Sequence, residues 1–333
     1  MKPVIFGLSG PALTPDERDF FREANPLGYI LFARNCIDRA QMHALTDSLR
    51  DLSGRDDVPI LIDQEGGRVA RMKPPVWPEF PAGPAFDRLY DMAPSSAIEA
   101  VRANAHALAL MLAEVGVNVN CAPLLDVRQP ETTPAVGERT FGSDPMRVAA
   151  LGRAMLDGMA KGGVVGIVKH MPGHGRGVVD SHYELPVVTA SDAKLERDVE
   201  PFRALRNAPM GMTCHVVFKA WDPENPATLS PTVIADVIRG RIGFDGLLMT
   251  DDIDMKALSG TAGEKAAVAI AAGCDVALDC WARMDEMQDI VGRLGEAEPQ
   301  TLARLERAMA SAKPEPGDFA SLLAKRDALL ALV

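Results

Sequence analysis

The feature that most constrains the fold is a regular alternation of short apolar segments with amphipathic ones. Helical patterns cover Asp38–Leu52, Pro145–Lys161 and Pro231–Ile242, and segments rich in Val, Ile and Leu lie between them. Strands that alternate with helices form parallel sheets, and eight such units predict an α/β fold of the TIM-like (β/α)8 barrel type. The eight predicted strands are Val4–Leu8, Gly28–Phe32, Val58–Ile62, Val117–Ala122, Val164–Val168, Gly211–His215, Gly246–Thr250 and Cys274–Leu278.

Length and composition agree with one barrel domain. A chain of 333 residues with 47% hydrophobic residues can bury a large core, and barrels of this length commonly form one domain. No linker or internal repeat interrupts the pattern. We therefore predict a single domain over residues 1–333, with the barrel at about 4–290 and C-terminal helices at about 291–333 that pack outside it.

Charge and motif content exclude several functions. A formal net charge of -11 disfavours binding to nucleic acid or to anionic membranes. No GxGxxG or Walker-type motif supports a nucleotide cofactor, and nothing in the sequence requires a metal, another cofactor or an obligatory protein partner. The apolar run at the N-terminus is short, no run reaches membrane-spanning length, and the five cysteines are scattered. These features predict a cytoplasmic protein.

Polar residues follow the predicted strands at the point where each strand ends. Asp63 comes after the third strand, Asp126 after the fourth and Lys169 after the fifth, whereas His215 ends the sixth and Asp251 follows the seventh. Ligands bind at the carboxyl ends of strands in parallel barrels. We therefore expect these side chains to meet at one mouth of the barrel.

The loop after the fifth strand carries three of the six histidines of the chain within residues 170–182. One hypothesis is a metal site formed by His170, His174, His182 and Asp180, although the irregular spacing and the neighbouring Lys169 disfavour it. A second makes Asp180 and His182 a hydrogen-bonded pair for proton transfer. In a third, His182 merely caps a turn. The spacing permits all three.

Asp251 and Asp252 end the seventh predicted strand. Strand alternation points adjacent side chains in opposite directions, so we expect one of the two carboxylates to face the barrel axis. Asp252 or Asp254 suits the N-cap of a following helix. Asp251 is the better candidate for a nucleophile or an electrostatic stabiliser.

Two further segments offer polar groups that could bind a ligand. In the first, Asp63 could accept hydrogen bonds from sugar hydroxyls while Arg68 or Arg71 donates, and Gly66-Gly67 would allow the backbone to approach the ligand closely. The same residues could instead form a turn with a structural ion pair. In the second, residues 137–142 form a loop that presents Arg139.

Taken together, these segments resemble the family 3 glycoside hydrolases, and specifically the short, single-domain β-N-acetylglucosaminidases of bacteria. The motifs occur in the family's order over residues 4 to about 290, and the ordered set is highly specific. The matching segments are Ile62–Val69 with Arg71, Gly137–Gly142, Lys169–Gly175, Asp180–His182 and Thr250–Met255.

The resemblance implies a retaining exo-acting enzyme that forms a covalent glycosyl-enzyme intermediate. It implies that Asp251 is the nucleophile and that His182, oriented by Asp180, is the proton donor and acceptor. The residues implied to bind N-acetylglucosamine are Asp63, Arg71, Arg139, Lys169 and His170.

The implied substrates are cytoplasmic peptidoglycan fragments, the GlcNAc-1,6-anhydroMurNAc-peptides. Their turnover would give the protein a part in cell wall biogenesis, cell shape and cell division. Two other functions stay open at this point. One is a metal-dependent hydrolase that uses His170, His174 and His182, and the other is a barrel that binds amino sugars without turning them over.

Overall fold

The computed structural model describes residues 1–333 and contains a closed barrel of eight parallel strands. All eight predicted strand positions are confirmed, with ends that differ by a few residues. Around the barrel the strands follow the order β1-β10-β9-β7-β5-β4-β3-β2, and β6 pairs with β8 in a separate two-stranded sheet that the sequence did not predict. The strands are β1 Lys2–Gly7, β2 Pro26–Leu31, β3 Ile60–Ile62, β4 Val119–Asn120, β5 Val165–Met171, β6 Val187–Val188, β7 Met210–Thr213, β8 Val217–Phe218, β9 Leu247–Asp252 and β10 Val276–Asp279.

Helices connect successive barrel strands, as a right-handed βαβ arrangement requires. Two of the three helices predicted above begin and end within a residue of the prediction, and the third, Val233–Ile242, is of the π type. None of the helices is long and apolar enough to cross a membrane. The α-helices are α1 Pro15–Ala24, α2 Arg39–Ser53, α3 Gly83–Met92, α4 Pro94–Glu114, α5 Pro134–Gly137, α6 Pro145–Lys161, α7 Asp192–Ala204, α8 Ala262–Ala272, α9 Met284–Arg293, α10 Pro299–Met309 and α11 Phe319–Leu330, with short 3-10 turns at Ala33–Asn35 and Ala227–Leu229.

Side-chain caps fix where several helices begin. Asp38 caps α2 by accepting a hydrogen bond from the backbone of Gln41, and α8 begins at a capping box formed by Thr261 and Glu264. The prediction that Asp252 or Asp254 caps the following helix is therefore wrong. Eight residues lie between Asp252 and Thr261, and that segment contains turns instead of a helix.

The barrel interior is filled by alternate residues of the strands. Leu61, Ile167 and Met249 belong to one buried cluster inside the barrel, and a larger cluster fills the layer between the strands and the helices. Two residues further along the same strands come Asp63, Lys169 and Asp251. Because side chains on one face of a strand recur every second residue, this period brings polar groups to the top of the barrel axis.

The two C-terminal helices differ in what they cover. Helix α11 packs against α4 on the outside of the barrel, as predicted. Helix α10 instead contributes Leu305 and Ala308 to the cluster inside the barrel, at the end opposite the polar residues. The expectation that both helices pack outside is wrong for α10, because its apolar face closes the bottom of the barrel.

Asp279 is a buried carboxyl group that lacks a hydrogen-bond partner. It ends β10, is completely buried, and neither of its side-chain oxygens is hydrogen-bonded. Burial raises the pKa of Asp279 to about 8, and the nearby carboxylates of Asp252, Glu286 and Asp254 act in the same direction. The folded protein therefore favours a proton on Asp279 at neutral pH.

We predict that Asp279→Asn removes part of the pH dependence of stability. The pKa of Asp279 in the folded protein lies above its value in the unfolded chain. The wild-type protein therefore loses stability as the pH rises from the unfolded-state value to the folded-state value, up to about pH 8. At about 1.4 kcal/mol per pKa unit, the free energy of unfolding of the variant relative to wild type should rise by roughly 2 to 4 kcal/mol between pH 5 and pH 8. Urea unfolding at the two pH values measures this, and a constant difference would contradict it.

Candidate active site

A cavity of about 410 Å³ opens at the carboxyl ends of the barrel strands. Apolar residues of the barrel interior, including Ile30, Met212 and Leu278, form part of its lining. His215 does not line it, because its ring nitrogens contact Thr228 Oγ1 and the carbonyl oxygen of Asp252. All eight candidate site residues line this one cavity, namely Asp63, Arg71, Arg139, Lys169, His170, Asp180, His182 and Asp251.

One wall of the cavity is a cluster of buried charges centred on Lys169. Its Nζ lies 3.1 Å from Asp63 Oδ1 and 2.8 Å from Glu65 Oε1. Arg139 makes two hydrogen bonds to Glu65, of 2.8 and 2.6 Å, and Arg71 donates one of 2.9 Å to Asp63 Oδ2. Two cavity-lining cations thus bracket each carboxylate. The sequence left a sugar site and a structural ion pair open at Asp63 and Arg71, and the structure contains the ion pair within the cavity.

The cluster keeps its two carboxylates and its lysine ionised. Burial by itself would raise the pKa of Asp63, but the charges of Lys169 and Arg71 outweigh it and hold that pKa well below its ordinary value. Glu65 follows the same pattern, because Arg139 and Lys169 lower its pKa against the effect of burial. Burial would lower the pKa of Lys169, yet Glu65 and Asp63 raise it above its usual range. A ligand therefore meets a wall of fixed charges.

The two glycines that follow Glu65 allow the turn to pack closely on another part of the protein. They do not line the cavity, which corrects the expectation that they let the backbone approach a ligand. Gly66 and Gly67 have φ values of +106° and +59°. A Cβ on Gly66 would lie 2.4 Å from the carbonyl oxygen of Pro81, and one on Gly67 would lie 2.7 Å from Ala82 Cβ. Only glycine fits here, because the turn packs directly on the segment that leads into α3.

His170 connects the proposed nucleophile to a buried carboxylate. Its Nδ1 lies 2.8 Å from Asp126 Oδ2, and its Nε2 lies 4.0 Å from Asp251 Oδ2. Asp126 is completely buried, and its pKa falls to about 2 because the charge and hydrogen bond of His170 outweigh burial. Burial would also raise the pKa of Asp251, but His170 and His215 hold it below its usual value. Asp251 is therefore a carboxylate at neutral pH.

The root of the histidine loop is fixed by hydrogen bonds. The backbone N–H of His174 donates to Asp126 Oδ1 over 2.6 Å, and that of Thr133 donates to the carbonyl oxygen of Gly177 over 3.0 Å. Arg176 pairs with Asp198 on α7. Burial lowers the pKa of His174 to about 4, so this imidazole is neutral at physiological pH. The loop is thus held firmly up to residue 177.

Asp180 and His182 lie at the outer end of the same loop. Asp180 Oδ1 accepts hydrogen bonds from the backbone of His182 over 3.0 Å and from its Nδ1 over 2.7 Å. This contact leaves Nε2 of His182 free, and the side chain is 65% exposed. Of the three hypotheses drawn from the sequence, the geometry contains the hydrogen-bonded pair, made on a tight turn.

The donors of the metal hypothesis are engaged separately. His170 Nδ1 contacts Asp126, His174 Nε2 lies 3.3 Å from Ser181 Oγ, and His182 Nδ1 contacts Asp180. No group of three or more His, Cys, Asp or Glu side chains is arranged to hold a metal ion. A metal bound by His170, His174 and His182 would require the loop to rearrange.

Asp252 lines the same cavity as Asp251. Its Oδ2 accepts a hydrogen bond of 3.1 Å from the indole of Trp281, and its Oδ1 accepts bonds from the backbone of Asp254 and Cys280. Burial, together with the charges of Asp251 and Asp254, raises its pKa to about 6. Asp252 therefore organises the loop after β10.

Two residues of the site, Glu65 and Trp281, were not singled out by sequence reasoning. Glu65 stands in a segment noted for other residues, and its position just after a predicted strand was the signal that could have identified it. Asp126 was expected at the barrel mouth, but its contact with His170 was not predicted. Trp281 gave no signal, because a lone tryptophan after a predicted strand is compatible with core packing. Its place at the cavity depends on the loop conformation.

The arrangement provides the parts needed to cleave a bond to a polar, uncharged ring. Buried charges at one end of the cavity can bind several hydroxyl groups, and a carboxylate lies where it can attack or stabilise a cationic centre. An exposed imidazole, oriented by a carboxylate, can donate and accept a proton. A hydroxyl-binding wall, a carboxylate and a proton carrier in one cavity are the parts that a glycoside hydrolase needs, and here an imidazole takes the place of the more common second carboxylate.

Comparisons with known proteins agree with this chemistry. Residues 15–310 match the glycosyl hydrolase family 3 N terminal domain. A β-hexosaminidase of Aromatoleum aromaticum is 36% identical over 312 residues, which cover 91% of this chain and 86% of the relative. NagZ from Neisseria gonorrhoeae, solved with N-trifluoroacetyl-D-glucosamine, superposes with a TM-score of 0.87 at 29% identity over 99% of this chain and 98% of its own. The same enzyme has been solved with zinc ion, at 28% identity, a TM-score of 0.86, and 99% and 98% coverage.

The barrel, the cavity and these relatives define a glycoside hydrolase of the β-N-acetylhexosaminidase type. The chain belongs to glycosyl hydrolase family 3.

We predict that Glu65→Gln disrupts the charge cluster. The amide cannot balance Lys169 and Arg139, and breaking a buried pair from one side costs about 3 to 5 kcal/mol. The free energy of unfolding should fall by that amount in urea titrations. Glu138→Gln is the matched control, because Glu138 pairs with Arg68 at the exposed rim, where the loss should stay below about 1 kcal/mol. Equal losses in the two variants would contradict the prediction.

Proposed function

We propose that the protein is a retaining exo-β-N-acetylglucosaminidase acting on peptidoglycan fragments, the GlcNAc-1,6-anhydroMurNAc-peptides. The observation that carries the proposal is the presence in one cavity of the ionised carboxylate Asp251 and a separate imidazole–carboxylate pair, His182 and Asp180. A retaining mechanism needs one nucleophile and one group that first donates and then accepts a proton.

In the first step, a carboxylate oxygen of Asp251 attacks C1 of the terminal sugar. The bond between C1 and the glycosidic oxygen breaks, and the leaving oxygen takes a proton from Nε2 of His182. Asp63, Lys169 and the neighbouring charges bind the hydroxyl groups, and their fixed positions hold C1 next to Asp251. The product of this step is a covalent glycosyl-enzyme.

In the second step, water attacks C1 and His182 takes its proton. The bond between C1 and Asp251 breaks, so the sugar leaves with its original configuration and both residues return to their starting state. An imidazole can both donate and accept a proton, so one group can serve as acid and then as base. Asp180 supports both roles, because it orients the ring through Nδ1.

The cellular role follows from the substrate. We infer that the enzyme acts in the cytoplasm on wall fragments returned for reuse, and so contributes to cell wall biogenesis, cell shape and cell division. The five cysteines are free thiols, which is typical of a reducing compartment. An exposed imidazole also suits an acidic leaving sugar such as a muramic acid derivative, which a second carboxylate would repel.

A direct assay tests the function. The purified protein should cleave an aryl β-N-acetylglucosaminide and leave the matching β-glucoside largely intact, and EDTA should not change the rate. Loss of activity with EDTA that zinc restores would favour the metal-dependent alternative. The control is needed because the gonococcal relative was solved with zinc. Binding of N-acetylglucosamine with no cleavage would favour the non-catalytic barrel.

We predict that Asp251→Ala abolishes turnover and leaves sugar binding measurable, because the hydroxyl-binding charges lie on other strands. A 5-fluoro N-acetylglucosaminyl fluoride should label the wild-type protein covalently, since the fluorine slows the second step. Mass spectrometry of peptides should locate the sugar on Asp251. A label on another residue, or near-normal activity of the variant, would exclude Asp251 as the nucleophile.

We predict that His182→Ala discriminates between leaving groups. A sugar leaving group needs a proton, so kcat/KM for a disaccharide should fall by roughly 100-fold or more, whereas activated aryl glycosides should lose far less. His43→Ala is the matched control, because exposed His43 forms a similar pair with Asp47 on α2, outside the cavity. Equal losses on both substrates of His182→Ala would argue against the proton-donor role.

A further inference from the structure

The loop after β10 presents an aromatic side chain at the mouth of the cavity. Trp281 lines the cavity and is 56% exposed, whereas the side chains of Lys169 and Asp63, which line its charged wall, are 3% and 18% exposed. Exposure therefore increases from the charged wall to the mouth. Tryptophan is enriched at binding surfaces, because it offers a large apolar face together with a polar edge.

Trp281 is held in a fixed orientation. Its indole Nε1 donates a hydrogen bond of 3.1 Å to Asp252 Oδ2, and the preceding residue, Cys280, donates from its backbone to Asp252 Oδ1. Two residues further on, Arg283 Nη2 lies 2.6 Å from Asp254. The loop is thus fastened to the turn that follows Asp251, on both sides of Trp281.

The backbone beside Trp281 adopts an unfavourable conformation. Ala282 has a φ of +58°, a left-handed conformation that is unfavourable for a residue with a Cβ. Such a residue persists where the surroundings over-determine it. The contacts of Asp252 and Arg283 supply that restraint, and their joint effect is to hold the indole at the cavity mouth.

The position of Trp281 indicates which part of a substrate it would contact. The charged wall would bind the hydroxyl groups of the terminal sugar, with C1 at Asp251. The leaving group then extends towards His182, which is 65% exposed, and therefore towards the mouth. Tyr183, 73% exposed, lines the cavity next to His182. Two exposed aromatic side chains thus stand where the leaving group emerges.

We propose that Trp281 is the binding platform for the leaving group, and that its indole stacks on the apolar face of a pyranose ring attached to the terminal N-acetylglucosamine. The proposal rests on the proposed function, and it adds a residue that determines substrate specificity. Asp252 is the positioning residue of this platform, because it acts on the substrate through the indole. Aromatic faces contribute contact area with little loss of conformational entropy.

The test compares two substrates that differ in their leaving group. A β-N-acetylglucosaminyl fluoride carries no ring beyond the scissile bond, whereas GlcNAc-1,6-anhydroMurNAc carries a second sugar. In Trp281→Ala the ratio of kcat/KM for the disaccharide to that for the fluoride should fall about tenfold. In Trp281→Phe this ratio should fall less, because phenylalanine keeps an aromatic face but loses the hydrogen bond to Asp252.

A matched control and a binding measurement complete the test. Trp221 also donates its indole N–H to a carboxylate, Asp192, but does not line the cavity, so Trp221→Phe should leave the ratio unchanged. In the Asp251→Ala variant, which binds without turnover, the disaccharide should bind more tightly than free N-acetylglucosamine. Adding Trp281→Ala to this variant should abolish that difference in affinity. This binding difference is measurable even if the protein proves not to hydrolyse sugars.

Either of two results would overturn the proposal. One is an equal loss on both substrates, which would place Trp281 against the terminal sugar. The other is an unchanged ratio together with an unchanged affinity difference, which would leave Trp281 without a role in binding. In both cases cleavage of the aryl N-acetylglucosaminide by the wild-type protein would still stand, so the proposed function would not fall with the platform.

Discussion

The buried ammonium group of Lys169 is the interaction on which the rest of the site depends. Desolvating it costs several kcal/mol, and the group is stable inside the barrel because Asp63 and Glu65 lie within 3.1 Å of it. Those carboxylates in turn require Arg71 and Arg139, so a single buried charge has partners from two other segments of the chain. The result is a rigid wall whose charges do not change with the arrival of a neutral sugar. Rigid, preorganised donors and acceptors are what a hydroxyl-rich ligand needs in order to be held in one orientation.

The two groups assigned to bond cleavage occupy opposite environments. Asp251 continues the inward-facing positions of β9 and is 21% exposed, with its pKa held down by His170. His182 stands on the outer part of a loop and is 65% exposed. A nucleophile must hold its position relative to C1 within a fraction of an ångström, which a barrel strand achieves. A proton carrier must serve the leaving oxygen first and a water molecule afterwards, so a loop position suits it better.

The barrel could be predicted from the sequence because its signal is repeated eight times. Each apolar segment was ambiguous by itself, but their regular alternation with helices left few alternatives, and the strand ends identified the site. Contacts between distant segments left no such signal. The link between His170 and Asp126 spans 44 residues, and the ion pair of Arg139 with Glu65 spans 74. The two strands β6 and β8 are two residues long, too short to produce a period. The role of α10 in closing the barrel was missed for a related reason, since an amphipathic pattern does not say which surface it covers.

Asp126 fixes the root of the histidine loop but makes no contact with its outer end. Its carboxylate accepts hydrogen bonds from the ring of His170, which faces Asp251, and from the backbone of His174 at the root of the histidine loop. Thr133 and Asp198 secure the same stretch, and beyond residue 177 the turn that joins Asp180 and His182 is held at Ser181, which contacts the ring of His174 and accepts a hydrogen bond from the backbone of Ala257. Movement of the outer loop would have to break the contacts of Ser181, and it would carry the imidazole of His182 and its orienting carboxylate together as one unit. The root would stay in place, and with it the imidazole of His170, which lowers the pKa of Asp251. In the proposed mechanism, the outer loop can thus move for proton transfer without disturbing the geometry around Asp251.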